Sequence, residues 1–290
     1  MAARHLRSEY GISGRRAAQV LRLHRSTLRY RPRPDRSGPI RGRLRELALE
    51  YPRYGYRMLT DKLHQEGQVA NHKRVYRIYR EEGLQLPKRR RKRIRSAKRV
   101  PLAPASRLNE RWSMDFMQDM LADGRRFRVL TVMDEYSREC LAIDPSISIP
   151  GARVTRVLDA IAARRGYPAV IVSDNGPEFT GRVLDRWASQ HSVRLHFIQP
   201  GKPTQNAFIE SFNGTFRDEC LGTDWFLDLE DARIKINRWR REYNERRPHS
   251  GIGRIPPAAF ARSRAAESNS EANLYKAGRP LRGREKVQIS

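Results

Sequence analysis

The feature that most constrains the fold is a short apolar run that ends in a carboxylate and a turn. Residues 170–173, Val-Ile-Val-Ser, are typical of a buried strand, and Asp174 follows directly. The next residues, Asn175, Gly176 and Pro177, break such a strand and turn the chain. The sequence therefore predicts a strand that ends at Asp174.

Two further acidic residues lie in elements that can bring them near Asp174. Asp115 belongs to the strand-like run Arg-Trp-Ser-Met-Asp-Phe, and Glu210 lies in a segment with helical spacing. A strand holds the short Asp side chain in place, whereas the longer Glu can reach a metal from a helix. Three carboxylates so delivered can hold two Mg²⁺ ions, which prefer hard oxygen ligands and keep waters for chemistry. Alone, an Asp at a strand end is usually a turn former and a helical Glu is usually solvated.

The helix around Glu210 is predicted to have two different faces. Asn213 and Arg217 follow Glu210 by three and seven residues, so the three share one face, which we expect to lie toward an anionic substrate. An adjacent apolar stripe would pack on the sheet, formed by Ile209, Phe212 and Phe216.

Several short stretches are similar to a known family. They read SDNGPEF, IESFNGTFR, PRYGYR, KRVYRIYREEGL and YNERRPH, and with them residues 13 to 260 resemble the DDE transposase/retroviral integrase superfamily. Within it, the closest likeness is to the OrfB proteins of IS3-family insertion sequences. The resemblance implies an RNase H-like fold in which the strands of Asp115 and Asp174 lie side by side.

The resemblance also implies a reaction. It predicts metal-dependent DNA cleavage and strand transfer by a 3′-hydroxyl, with Asp115, Asp174 and Glu210 as catalytic residues and metal ligands. Two Mg²⁺ ions are the expected cofactors, with Mn²⁺ able to substitute. Arg217 occupies the family's basic position after the Glu and is expected to contact phosphate. More than one protomer would join two DNA ends, and an OrfA partner, or a frameshift fusion with it, is expected.

The net charge indicates the kind of binding partner, and the cysteine content indicates the cellular compartment. The formal net charge of +27 predicts a polyanionic partner, first of all nucleic acid. A membrane surface is the alternative, but no apolar run long enough for a transmembrane helix and no signal peptide are found. Two cysteines, Cys140 and Cys220, favour a reducing, cytoplasmic location and argue against a Cys/His zinc site.

Residues 1–35 are predicted to contain a helix-turn-helix-like segment. Ser13 can cap one helix, and Ser26 can cap a second short helix after a break. The second helix would present Arg25, Thr27 and Arg29 to DNA. The alternative is a basic hairpin that contacts only phosphates, which is the commoner behaviour of Arg-rich helices.

A second helical module and a basic linker follow. Residues 40–86 predict three helices, the last ending at Gly83, in a helix-turn-helix-like arrangement. Residues 87–108 form a linker whose positive charges predict an arm that tracks DNA phosphates, or alternatively a solvated connection. The residues expected to contact DNA there are Lys88, Arg89, Arg90, Arg91, Lys92 and Arg93.

Residues 109–260 are predicted to form the catalytic core. Three strands with short turns imply an antiparallel meander, and the order βββαβαβα indicates an α/β fold with a mixed five-stranded sheet and flanking helices. The loop before Glu210 offers Lys202 to a phosphate, and Asn206 is expected to cap the next helix. The polar, small residues of 261–290 predict a disordered tail.

Two other functions remain open on sequence grounds. One is a nuclease of the same fold that cuts DNA without joining it. The other is a non-catalytic, sequence-specific DNA-binding regulator that uses only the helical modules and the basic arm. The presence of all three carboxylates favours catalysis over regulation.

Overall fold

The structure is a computed structural model that describes residues 2–30, 37–87, 103–176, 179, 181–198 and 206–276. Three groups of predictions lie outside these residues: the basic arm from Lys88 to Arg93, the loop residue Lys202, and the last part of the tail, residues 277–290. In the described part of the chain, no helix is both long enough and apolar enough to cross a membrane.

The first three helices are short and are linked by tight turns. They are α1 (Ala2–Tyr10), α2 (Gly14–Val20) and α3 (Arg25–Arg29). Ser13 caps α2 as predicted, since its hydroxyl accepts a hydrogen bond from the backbone N–H of Arg16 at 3.3 Å. The predicted cap at Ser26 is wrong: α3 begins at Arg25, because the Nδ1 atom of His24 accepts from the Ser26 N–H.

The next three helices form a small domain with its own core. They are α4 (Gly38–Glu50), α5 (Tyr56–Gln65) and α6 (His72–Glu81), and below we call them the helical module. The predicted stop at Gly83 is confirmed, since this residue adopts a φ of +68° just after the last turn of α6. The core contains Leu44, Leu47, Leu59, Leu63, Val75 and Ile78.

A mixed five-stranded sheet forms the centre of the remaining chain. Its elements in chain order are β1 (Arg111–Met120), β2 (Arg126–Asp134), β3 (Cys140–Ser146), α7 (Gly151–Arg165), β4 (Val170–Ser173), α8 (Arg182–Gln190) and β5 (Arg194–Phe197). The strand order is β3-β2-β1-β4-β5, with β1 antiparallel to β2 and parallel to β4. This is the RNase H-like arrangement, so the predicted fold and the antiparallel meander are confirmed.

Helices cover both faces of this sheet because its central strands are apolar on both sides. Along β2, Phe127 and Val129 face one cluster of buried side chains, whereas Leu130 and Val132 face another. The first cluster includes side chains of α9 (Ala207–Phe216) and α10 (Leu229–Glu245). The second includes side chains of α7 and α8.

A side chain of α10 completes the backbone hydrogen bonds at the start of the edge strand β3. The Nδ2 atom of Asn244 donates to the Cys140 carbonyl at 2.8 Å, and its Oδ1 atom accepts from the Cys140 N–H at 2.9 Å. Both groups are buried, so they would otherwise lack a partner in the protein. This pair of bonds therefore fixes α10 against the sheet.

The helical module also packs on α10. The Lys62 ammonium lies 2.7 Å from Oε1 of Glu242, and the Tyr51 hydroxyl donates to the same oxygen at 2.9 Å. A second ion pair joins Arg254 to Asp61 at 2.7 Å. The module is thus held to the core by charged groups as well as by packing.

The prediction of disorder from residue 261 onward is wrong for the part of the tail that the structure describes. Helix α11 runs over Pro257–Lys276. Six of its twenty residues are alanine, which favours helix. Phe260 near its start packs against Tyr136 with ring centroids 5.4 Å apart.

We expect Asn244→Ala to lower the free energy of unfolding by about 2–4 kcal/mol, because two buried backbone groups lose their partners. Chemical denaturation monitored by circular dichroism measures this change. Asn237→Ala is the matched control, since Asn237 is exposed on the same helix. Equal stabilities of the two variants would contradict the role given to Asn244.

Candidate active site

The parallel pairing of β1 with β4 brings Asp115 and Asp174 to the same level. Ser113 pairs with Val172 in the register, and each aspartate lies two residues farther along its chain. Asp174 is the first residue after β4, and its Oδ1 atom accepts from the Gly176 N–H at 3.1 Å. The prediction that these two strands lie side by side is confirmed.

The Asp115 carboxylate is held by two hydrogen bonds. Its Oδ1 atom accepts from the Phe116 N–H at 2.8 Å, and its Oδ2 atom accepts from Nδ2 of Asn213 on α9, also at 2.8 Å. The Thr131 hydroxyl on β2 contacts Oδ1 of Asn213 at 3.0 Å and the backbone carbonyl of Asp115 at 3.1 Å. Asn213 thereby links the helix to two central strands.

The three predicted carboxylates share one electrostatic environment. Burial raises the pKa of Asp115 above its ordinary value, and the charges of Asp174 and Glu210 raise it further. The hydrogen bonds from Phe116 and Asn213 oppose this shift. The carboxyl group of Asp115 therefore keeps its proton to a higher pH in the folded state than in the unfolded chain. Its contribution to the free energy of unfolding is lost as pH rises from the unfolded pKa through the folded one.

The three polar residues predicted to share one face of α9 differ in solvent exposure. Glu210 is exposed on α9, and Arg217 is exposed where α9 passes into a π-helical turn, Arg217–Leu221. Asn213 is only 7% exposed. Its amide is engaged with Asp115 and Thr131, and a contact of Asn213 with DNA stays a prediction. The predicted apolar stripe, Ile209, Phe212 and Phe216, is buried as expected.

The carboxylates do not form a ready-made coordination shell. Among the described residues, no group of three or more His, Cys, Asp or Glu side chains is arranged to hold a metal ion. Burial, the bonds from Phe116 and Asn213, and repulsion by Asp174 and Glu210 act on Asp115. The donor set itself is nevertheless that of a hard divalent cation, since all three side chains are carboxylates.

The other predicted DNA contacts are only partly described. Arg25 and Thr27 are exposed on α3, whereas the side chain of Arg29 lies outside the description, as do Lys202 and the arm from Lys88 to Arg93. Asn206 occupies the N-cap position of α9 as predicted, but its side chain makes no capping hydrogen bond. Its Oδ1 atom is buried and has no hydrogen-bond partner among the described residues.

Sequence reasoning missed Thr131, which completes the site. Its register partner across the β1–β2 pair is Asp115. A signal was present, because Thr131 is the polar residue inside the apolar run Val-Leu-Thr-Val-Met. A hydroxyl at that position needs a partner once buried, and Asn213 supplies it.

Fold and site together define the class of protein. Two integrase core domain models match residues 105–203 and 191–257, and an HTH-like domain model matches residues 40–93. An α/β sheet of RNase H-like order, with acidic residues at the β1–β4 pair and on α9, is consistent with an integrase core.

Relatives make the assignment more specific. The chain is 47% identical to a protein of insertion element IS407 from Burkholderia multivorans, over 92% of this chain and 97% of the relative. It is 45% identical to a protein of insertion element IS476 from Xanthomonas euvesicatoria, over 96% of this chain and 80% of the relative. It is 28% identical to the putative transposase InsK of insertion sequence IS150 from Escherichia coli, over 84% of this chain and 91% of the relative. The chain belongs to the insertion-sequence family of transposases with an integrase core.

We expect Glu210→Gln to lower the pKa of Asp115, because a like charge that raises it is removed. Carboxyl-carbon NMR titration in the absence of divalent ions measures the shift. The control is Glu230→Gln, which changes an exposed Glu in the first turn of α10. An Asp115 titration that is the same in both variants would show that Glu210 does not act on it.

Proposed function

We propose that this chain is a DNA strand transferase that cuts DNA and joins the cut end to a new strand. The observation that supports it most is the shared environment of Asp115, Asp174 and Glu210, drawn from two adjacent strands and one helix. Membership of the insertion-sequence family makes DNA transposition the process that it serves.

The reaction is an in-line displacement at a phosphodiester. The oxygen of water, or of a DNA 3′-hydroxyl, forms a bond to phosphorus while the bond to the departing 3′-oxygen breaks. The nucleophile loses its proton, and the leaving oxygen gains one. Negative charge gathers on the phosphoryl oxygens in the transition state, and nearby cations stabilise it. We assign Arg217 to that role, because it is exposed at the end of the helix that contains Glu210.

Asp115, Asp174 and Glu210 would hold two Mg²⁺ ions, with Mn²⁺ as a substitute. Carboxylates that repel one another are a suitable donor set for divalent cations, since a cation removes the repulsion that raises the pKa of Asp115. When bound, the ions supply the activation of the nucleophile and the stabilisation of the leaving oxygen.

Asn213 and Thr131 act as positioning residues in this proposal. Asn213 donates to one carboxylate oxygen of Asp115, and Thr131 contacts the acceptor oxygen of the same Asn213 amide. This arrangement fixes both the orientation of the amide and the rotamer of Asp115. Partners of this kind commonly contribute about 10- to 100-fold to metal affinity or activity.

The partners follow from the same proposal. We infer that the chain binds the ends of its element and a target DNA in the cytoplasm, and that more than one copy joins two ends. We place it with the OrfB proteins of the IS3 family, which implies an OrfA partner or a fusion with it. The helical module and Arg25 and Thr27 of α3 would bind DNA outside the active site.

We expect Asp174→Asn to reduce strand cleavage and joining by at least about 1,000-fold, because one ligand of the metals is lost. The measurement uses the purified chain, a labelled duplex containing an element end, Mg²⁺ and a denaturing gel. The control is Asp185→Asn, an exposed Asp on α8. Equal products from wild type and Asp174→Asn would refute the assignment of the carboxylates.

The same gel separates the two other functions. Cleavage without joined products would indicate a nuclease of this fold. DNA binding without any product, also after addition of an OrfA protein, would indicate a regulator.

A further inference from the structure

A cleft of about 520 Å³ lies on the other side of α9 from Glu210. Phe208, Ser211 and Thr215 of α9 line it, and Phe208 and Glu210 point in roughly opposite directions, since two residues span about 200° of a helix. The helical module and the loop after α10 supply the other walls. This cleft is separate from the carboxylates described above.

Arg138 of the β2–β3 turn lines this cleft, and its guanidinium lies over an aromatic ring. Its Cζ atom lies 3.6 Å from the centroid of the Phe208 ring, and its Nη1 atom is buried with no hydrogen-bond partner among the described residues. In the described part of the chain no carboxylate lies within ion-pair distance of Arg138, although the charges of Glu135 and Asp134 act on it from farther away. Arg138 as a whole is half-buried, so its remaining N–H groups can bind an anion that enters the cleft.

The backbone of Arg138 adds a second observation. Its φ of +62° lies in the left-handed region, where glycine or asparagine is less strained than arginine. The turn would thus be more easily made with another residue. What arginine adds at this position is a guanidinium against Phe208, at the edge of the cleft.

A third observation concerns His249. The Nε2 atom of His249 is also buried with no hydrogen-bond partner among the residues described, and His249 lines the same cleft. Burial lowers the pKa of His249, and the charges of Arg247 and Arg138 lower it further, to about 3, so the electrostatic potential at this wall is positive.

The residues that line the cleft carry an excess of positive charge, which indicates an anionic ligand. Four arginines line it, Arg57, Arg138, Arg247 and Arg254, against one carboxylate, Asp61. Two of the four are already paired, Arg247 with Glu219 and Arg254 with Asp61. Arg57 is exposed on α5, and its Nε atom donates to the Tyr56 hydroxyl. Arg57 and Arg138 are thus the two guanidinium groups left for an anion, one from the helical module and one from the core.

We propose that this cleft binds a backbone phosphate of DNA between Arg57 and Arg138. The planar guanidinium offers parallel N–H donors that match two phosphate oxygens. A phosphate at this place would connect the helical module to the core from behind α9. DNA bound there would favour the docked arrangement in which Lys62 and Arg254 contact Glu242 and Asp61.

The test measures binding to a duplex of random sequence by fluorescence anisotropy, without divalent ions and over a range of salt concentrations. Arg138→Gln is expected to weaken binding about tenfold at low salt and to reduce the slope of log K against log[salt] by about 1, the value for one lost phosphate contact. The control is Arg156→Gln, which removes one charge from α7 on the opposite face of the sheet. Because no metal is present, failure of the proposed catalysis would leave this result unchanged.

A second variant and a second ligand complete the design. Arg57→Gln tests the same phosphate from an exposed position, so it decides the outcome if Arg138→Gln does not fold. Thermal shifts with inorganic phosphate separate the sources of the anion. A loss of stabilisation by inorganic phosphate with unchanged duplex binding would assign the cleft to a free phosphate and overturn the DNA assignment. Duplex affinities and salt slopes that match the control in both variants would also overturn it.

Discussion

The parallel pairing of β1 with β4 is the interaction on which the rest of the site depends. It places Asp115 level with Asp174, although the two residues are far apart in the sequence. It also makes β1 the central strand of the sheet, so the residues around Asp115 are covered on both faces. Helix α9 then packs over β1 and β2, and its packing brings Glu210 and Asn213 toward Asp115.

As a consequence, the carboxylate of Asp115 is partly buried, and this burial costs free energy of folding. Burying an unpaired charge costs several kcal/mol, whereas each hydrogen bond to a charged group returns about 1.5–3 kcal/mol. Asp115 has two such bonds, from Phe116 and Asn213, and its pKa still lies above the ordinary value. The two bonds therefore do not offset burial and repulsion in full, and this imbalance is what a bound divalent cation would relieve.

Local patterns sufficed for the strands and for most helices, because apolar alternation and turn residues determine them. The adjacency of the strands of Asp115 and Asp174 followed only from the resemblance to a known fold, because local patterns do not specify which strands pair. Such patterns failed where a tertiary partner decides the outcome. Helical spacing puts Asn213 on the face of Glu210, but only the packing of α9 on β1 and β2 shows that its amide meets Asp115 and Thr131. In the same way, His24 rather than Ser26 caps α3, and contact with Tyr136 secures the start of α11.

The central claim is that Asp115, Asp174 and Glu210 form one metal-binding site. Anomalous diffraction from crystals grown with Mn²⁺ tests it most directly, because this ion is expected to replace Mg²⁺ and can be located without ambiguity from water. The account predicts a manganese peak within about 2.5 Å of carboxylate oxygens of both Asp115 and Asp174. Manganese bound only elsewhere, with no peak between the two aspartates, would contradict it.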